Sequence, residues 1–453
     1  MLQDKYSEYL DSGLMWVKEY PSHWNLTKVK YEAYVKARVG WHGLKTDDFT
    51  DVGPYLVTGS DFKSSIISWK DCYHCDLARY EQDPYIQLQN GDLLLTKDGT
   101  IGKIALVQGL GVDEKATLNS GVFVVRPLSN GFTTEFYFWL LESTVFKKFF
   151  DYFKTGSTIV HLYQDTFVNF SYASPPLIEQ TQIAKFLDHE TAQIDTLIEK
   201  QQTLIQLLKE KRQAVISHAV TKGLNSDAPM KDSGVEWLGE VPEHWAVKKN
   251  KHLLEFVTSG SRGWAEYYSD EGKLFFRITN LTRDTIEPKL ESIKNVNPPS
   301  GAEGERSKIE LNDLLISITA DLGSVCVAND SIAGGFVSQH VSLCRPNSSV
   351  KSARWLAYFI LSDSAKEQFV GSGYGGTKIQ LSLEDIRELN IAYPPEKEQE
   401  NIASYIDNKL EKFETLMSQA EQAIQLMQER RTALISAAVT GKIDVRGWRA
   451  AVI

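Results

Sequence analysis

The chain has 453 residues, 42% of them hydrophobic and 24% charged, with 49 basic side chains against 59 acidic ones and a formal net charge of −10. That balance suits a soluble chain of about two to four domains; it excludes disordered and collagen-like classes, and no positive excess points to nucleic acid. The N-terminus lacks a basic segment followed by an apolar one, and the longest apolar runs (136–141 and 355–361) fall far short of the roughly 18 residues of a membrane span. Four cysteines make no disulfide framework. A cytoplasmic protein with no membrane association is expected.

In chain order, the first feature is an opening, SGLMWVKEYPSHWNLTKVK, at 12–30. Alternating runs at 55–58, 92–96, 104–107 and 121–125 read as strands, with turns at Asn90-Gly91 and Asp98-Gly99. Residues 132–150 read as a helix. Pro175-Pro176 then stops the fold of the preceding part, and neither Gly nor Pro occurs from Glu179 to Thr221, which predicts one helix of about 40 residues. A polar, turn-rich linker follows at 221–233.

From Ser233 the pattern begins again. SGVEWLGEVPEHWAVKKNK at 233–251 repeats the opening, and 312–328 repeats 91–107. Residues 352–370 read as a helix, Pro394-Pro395 repeats the proline pair, and 396–440 again lacks Gly and Pro. The segments 175–221 and 394–440 share 20 of 47 residues, where chance would give about two or three; the chain is a duplication. Each half carries a net charge of −5. The stretches 31–90 and 252–311 have almost nothing in common. Heptad spacing (Leu187, Ile194, Gln201, Leu208 and Val215 at a, Leu197 and Leu204 at d; Ile406, Phe413, Ala420, Met427 and Leu434 at a, Leu416 and Ala423 at d), weakest at the Gln201 and Ala420 layer, predicts that the two long helices pack on each other. The expected fold is α+β: two mixed α/β domains joined by two long helices packed on each other. Its parts are a first domain at 1–174, a helix at 175–222, a linker at 223–232, a second domain at 233–393, and a distal helix with tail at 394–453.

Motifs of catalysis fail one by one. Gly371–Gly376 fits G-x-G-x-x-G, but a helix precedes it where a strand is required. Asn297-Pro298-Pro299-Ser300 lacks the aromatic fourth residue that would stack on an extruded adenine. Cys72 and Cys75 with His74 fall short of four zinc ligands. No P-loop or nuclease constellation occurs, so no catalytic residue, metal or cofactor is assigned to this chain. What remains is a set of polar and aromatic loop residues in the diverged stretches. Arginine reads guanine and Asn reads adenine by paired hydrogen bonds. The candidates for DNA contact are Arg38, Trp41, His42, Lys45, Thr58, Asp61, Lys97, Thr100 and Lys103 in the first half. In the second they are Arg262, Tyr267, Arg277, Thr279, Asn280, Thr319 and Lys378.

The paired openings, the PP-x-x-EQ-x-x-I runs (Pro175, Pro176, Glu179, Gln180, Ile183; Pro394, Pro395, Glu398, Gln399, Ile402) and the helix ends ISHAVTKG and ISAAVTGK resemble the specificity subunit of type I restriction–modification systems. The resemblance covers essentially the whole chain. It implies two target-recognition domains reading the two parts of a split DNA sequence. It also implies that the long helices form an antiparallel coiled coil acting as spacer and as docking surface for two methyltransferase subunits, which bring S-adenosylmethionine, and motor-nuclease subunits that join them. The paired cations Lys211, Arg212, Arg430 and Arg431 are the candidate docking residues. The rival reading is a coiled-coil adaptor whose variable domains bind proteins.

Overall fold

The computed structural model describes residues 5–38, 48–128, 131–153, 161–260, 262–298, 301–371 and 380–450. The candidates Trp41, His42, Lys45 and Lys378, and most of the Gly371–Gly376 run, lie outside them. The chain divides into two compact units, Met1–Gln201 with Gln422–Ile453, and Gln202–Glu421. Each division falls inside a long helix, so each unit holds the start of its own copy's helix and the end of the other's.

Unit 1 is built on a four-stranded antiparallel sheet in the order Ala33–Ala37, Val122–Pro127, Leu93–Thr96, Ile104–Leu106. Leu93, Leu94 and Leu95 are all buried, because one sheet face packs on helices and the other on a smaller cluster around Val57, Ile86 and Leu118. A second sheet pairs Phe49–Val57 antiparallel with Tyr73–Cys75 and parallel with Ala116–Leu118. Unit 2 repeats the first sheet, in the order Leu254–Ser259, Val341–Pro346, Leu314–Ser317, Val325–Val327. It also repeats the parallel pair, as Lys273–Phe276 with Phe336–Val337. The same architecture thus persists although the stretches 31–90 and 252–311 have almost nothing in common.

Both sheets carry the same buried ion pair at the same place. Arg126 Nε donates to Asp92 at 2.6 Å, and Arg345 Nε to Asp313 at 2.9 Å. The second oxygen of each aspartate accepts a backbone N–H, from Gln89 and from Glu310. Neither carboxylate is left with an unpaired oxygen in the interior, which is the condition for burying a charge.

The helices expected at 132–150 and 352–370 are each broken once, into Thr134–Glu142 and Thr144–Phe153, and into Ala353–Leu361 and Asp363–Gly371. The break is a serine that ends one helix and caps the next. Ser143 Oγ donates to Leu140 O and accepts from Val145 N; Ser362 Oγ donates to Phe359 O and accepts from Ala365 N.

The long helices run Leu177–Lys222 and Glu396–Val439. Within unit 1 they lie antiparallel: Asp195 meets Arg431 at 2.9 Å, while Gln182, earlier in its helix, donates to Val445 and Trp448 carbonyls beyond the end of the other. Of the a positions, Leu187, Ile194, Leu208, Ile406, Phe413 and Ala420 are buried, while Gln201, Val215, Met427 and Leu434 are half-buried. The d positions are not buried: Leu197, Leu204 and Leu416 are between 42% and 49% exposed. Two helices can enclose only a narrow seam, and the flanking domains cover the side next to the a row. Among the described residues no helix is long and apolar enough to cross a membrane.

Candidate nucleic-acid interface

The signature residues prove to be joinery. Glu179, in the first turn of its helix, accepts from Trp24 Nε1 at 3.1 Å, from His23 Nε2 at 2.9 Å and from the Tyr6 hydroxyl. Burial, and then the hydrogen bond to Glu179, push the Tyr6 phenol far above its ordinary range, so it stays a donor. Glu398 accepts from Trp245 Nε1 at 2.9 Å and His244 Nε2 at 2.7 Å in the same way. The following glutamines are buried and tie the helix start to the domain. Gln180 accepts from Thr133 N and donates to Pro175 O; Gln399 accepts from Lys351 N and donates to Pro394 O. The motif therefore welds each opening to its helix.

Helix ends dock crosswise in sequence. In unit 1 Ser436 of the second helix receives the Thr144 amide at 3.2 Å, and in unit 2 Ser217 of the first helix receives the Asp363 amide at 3.0 Å. Each recognition unit is thus closed by the other copy's helix end.

The diverged rims begin where the parallel strand pairs stop, and there both units place a short 3-10 turn whose last residue accepts the amide ahead of the turn with its side chain. Thr58 and Asp61 form it in unit 1: Thr58 N donates to Asp61 Oδ2 at 2.7 Å. In unit 2 Arg277 N donates to Asn280 Oδ1 at 2.9 Å. Thr58, Asp61 and Asn280 are buried, and Asn280 spends its amide on Lys289 and Ser292 carbonyls. Arg38 is only 2% exposed. Its guanidinium donates to Asp83 at 2.5 Å, Leu118 O at 2.9 Å and Thr117 Oγ1 at 3.3 Å. Burial pulls its pKa down and Asp83 opposes that, leaving a charged structural pair. These four residues hold the rim rather than project from it.

Other candidates do face outward. Thr100, Lys103, Arg262, Tyr267 and Thr279 are exposed. Lys97 lies 3.4 Å from Asp98 and over the Phe123 ring, and Asp98 also meets His161 at 2.5 Å. With Arg38 these line one open cleft of unit 1. Thr319 is half-buried and hydrogen-bonds His340 at 3.2 Å. Arg277 is half-buried, donating to Ser292 O at 3.1 Å while its Nε has no partner. It lines a cavity of about 260 Å3 with Thr279, Trp264, Tyr268, Phe275, Ser338 and His340. Ser338 and His340 are not among the sequence candidates, although they follow closely on the buried strand Phe336–Val337, where loops present side chains.

The docking candidates separate likewise. Lys211 and Arg430 are exposed. Arg212 is buried and donates to the Arg283 and Asp284 carbonyls; burial pulls its pKa down. Arg431 pairs with Asp195 and lies 5.9 Å from the Trp139 ring. Among the described residues no group of three or more His, Cys, Asp or Glu could hold a metal ion. Cys72 and Cys75 are buried free thiols, the former pushed by burial up to about 12.

A doubled α+β framework with unlike rims defines a protein whose variable surface is carried on a repeated scaffold. The sequence pattern of the type I restriction modification DNA specificity domain matches twice, over residues 44–207 and 242–426, and the chain belongs to that family. It is similar to the EcoBI type I restriction enzyme specificity subunit of Escherichia coli, with 21% identity over 79% of this chain and 75% of that one. It also resembles a putative specificity subunit, MjaX, of Methanocaldococcus jannaschii, with 23% identity over 95% and 96%. Its fold matches a chain solved in work on complex assembly and conformational transition of the type I R-M system, with a TM-score of 0.72, 17% identity and coverage of 94% and 99%. It matches the HsdS subunit of Thermoanaerobacter tengcongensis with a TM-score of 0.55, 16% identity and coverage of 94% and 98%. The chain is a DNA-specificity subunit and not itself a methyltransferase or nuclease; the adaptor reading is set aside.

Proposed function

We propose that the two units each read one part of a split DNA target, and that the paired helices set the gap and receive two methyltransferase subunits. Those subunits bring S-adenosylmethionine, and motor-nuclease subunits join the same complex in the cytoplasm. The observation that carries this is the double family match on two frameworks that agree in their buried parts and differ at their rims. Within the expected domains, 1–174 and 233–393, the reading residues are Lys97, Thr100, Lys103, Arg262, Tyr267, Arg277, Thr279 and Thr319. Arg38, Thr58, Asp61 and Asn280 act by holding the rims that carry them.

Docking falls to the exposed cations Lys211 and Arg430. In unit 2 it is helped by the exposed leucines Leu204 and Leu207 of the first long helix and Leu416 of the second. The net charge of −10 means that this chain supplies base readout while partners supply most phosphate contact.

Single-molecule sequencing of the host genome tests the reading. The expected result is methylated adenine in a motif of two short specific parts around a fixed gap. A continuous motif would overturn it. In gel shifts the chain alone is expected to bind its target weakly and tightly only with the methyltransferase. Nanomolar specific binding by the chain alone would refute the shared-affinity part.

A further inference from the structure

One carboxylate that both copies keep has different company in the two units. Asp188 and Asp407 stand 219 residues apart near the starts of the long helices, and the same spacing relates Thr134–Glu142 to Ala353–Leu361. In unit 2 Asp407 holds a guanidinium: Arg354 donates to it from Nε at 3.0 Å and from a terminal nitrogen at 2.8 Å. The Tyr358 hydroxyl also donates to Asp407, and Glu287 takes another edge of the arginine. In unit 1 that spacing puts Glu135 at the place of Arg354 and Trp139 at the place of Tyr358. Asp188 accepts from Trp139 Nε1 at 2.9 Å, and an acid stands where the cation would be. Partial burial pushes the Asp188 carboxyl above its ordinary value, the Trp139 hydrogen bond opposes that, and the nearby Glu135 charge adds to the rise.

The space beside these groups is open. Glu135, Asp188 and Asp195 line a cavity of about 380 Å3, with Ile66 and Leu106 as apolar walls and Arg431 as the cation of the lining. Arg431 pairs with Asp195 at 2.9 Å, and among the described residues Glu135 has no hydrogen-bond or ion-pair partner. Ile66 takes the place of Glu287. Each follows a residue whose carbonyl receives a strand amide, Leu106 N to Ser65 O at 2.8 Å and Val327 N to Ile286 O at 2.9 Å. Unit 1 thus keeps the carboxylate of the unit 2 arginine site, lacks the arginine, and has open space in its place.

We infer that this cavity receives an arginine side chain of a methyltransferase subunit, which supplies from outside the guanidinium that Arg354 supplies within unit 2. The inference rests on the docking role proposed above. The repeat itself shows the chemistry that this place binds, since Asp407 takes two parallel N–H donors from one planar fork. In unit 1 Asp188 and Glu135 together offer the complementary charge, and Ile66 and Leu106 suit the methylene stem of the incoming side chain. A bare metal ion does not fit the place, because among the described residues no group of three or more His, Cys, Asp or Glu could hold one. In unit 2 Arg354 fills the corresponding position, so the subunit docked on unit 1 has a charge contact that the one on unit 2 lacks.

Two measurements on the full chain test this. In the first, the indole N–H of Trp139, assigned through Trp139→Phe, is followed by NMR during titration with ethylguanidinium. It should shift to saturation, and roughly threefold less tightly in Glu135→Gln. Tetramethylammonium, which cannot donate a hydrogen bond, should leave it unmoved. The second counts methyltransferase subunits on the chain by native mass spectrometry across a concentration series. Wild-type chain should carry two. Glu135→Arg, which installs the residue of unit 2, should fill the place from within and weaken one of the two binding steps by about tenfold or more, without lowering the thermal midpoint. Glu135→Gln should weaken the same step by about threefold, and raised salt should do so too. No saturable shift, or an equal shift with tetramethylammonium, overturns the site. A Glu135→Arg chain that binds both subunits as tightly as wild type overturns the occupant. Wild-type chain that carries no methyltransferase would fault the docking role instead, and the ethylguanidinium titration would still decide the site.

Discussion

Glu179 and Glu398 stand at equivalent places, yet their surroundings differ. The Glu179 side chain is 6% exposed and takes three side-chain donors, Tyr6 among them; that of Glu398 is 37% exposed and takes two. By contrast, the residues after the parallel strand pairs differ in type, Thr58 and Asp61 answering to Arg277 and Asn280, although Asp61 and Asn280 accept the same amide. Duplication has kept the weld and the backbone of the cap while freeing the side chains around it. A scaffold of this kind can change what it reads without changing how it folds.

The sharpest way to break the comparison is Arg38→Ala. It takes the paired cation away from the buried Asp83 carboxylate and should cost unit 1 about 3–5 kcal/mol, the range for breaking a buried pair. Hydrogen exchange should show amides of unit 1 losing protection while unit 2 keeps its own. A stable variant with relaxed DNA discrimination would return Arg38 to the reading set. Glu179→Leu comes next. It leaves three donors unpaired and should destabilise unit 1 by about 2–4 kcal/mol, against about 1 kcal/mol for Glu398→Leu in its wetter setting. Equal losses measured by urea unfolding of the two variants would show that exposure does not distinguish the welds.

Arg277→Ala sharpens the comparison at the rim. Its main-chain cap survives, because Asn280 accepts from the backbone amide, so the loop should hold. Discrimination at one half-site should fall by about 1–3 kcal/mol, read by competition between target and half-mutated duplexes, while the other half-site is unaffected. Equal loss at both would make Arg277 a structural residue.

Much of the framework is legible in the sequence, for identifiable reasons. The absence of Gly and Pro after Pro175-Pro176 and Pro394-Pro395 marks both long helices to within two residues of their observed bounds. Ser143 and Ser362 were equally visible as cap residues inside apolar runs, and reading them so would have split both helices correctly. The rim resists such reading. Arg38 and Arg277 are the same residue type in similar polar-aromatic stretches, and only the three-dimensional placement of Asp83 and Leu118 commits one to the interior. The d-row leucines fail for a related reason: heptad spacing marks a face as apolar but not what covers it.

The smallest effect concerns the edge beside each weld. In unit 2 Lys249 and Lys251 both pair with Glu388, and their hydrogen bonds hold its carboxyl down at about 2. Lys28 and Lys30 stand at the equivalent places in unit 1, but Asn169 replaces the glutamate and donates instead to Asp165 O. A carboxyl with a folded pKa below its unfolded one stabilises the fold above the unfolded value, and that contribution fades as pH falls from about 4.5 toward 2. Acid should therefore loosen the strand pair Ala246–Lys249 with Asn390–Tyr393 and leave Asn25–Lys28 with Ser171–Ser174 indifferent to Glu388-type titration. Because Glu388 lies at the surface, salt should raise its pKa toward the ordinary carboxylate range. A carbon-detected NMR titration in low and high salt checks both claims, and a Glu388 carboxyl titrating near 4.5 at low salt would mean that the two lysines are spectators.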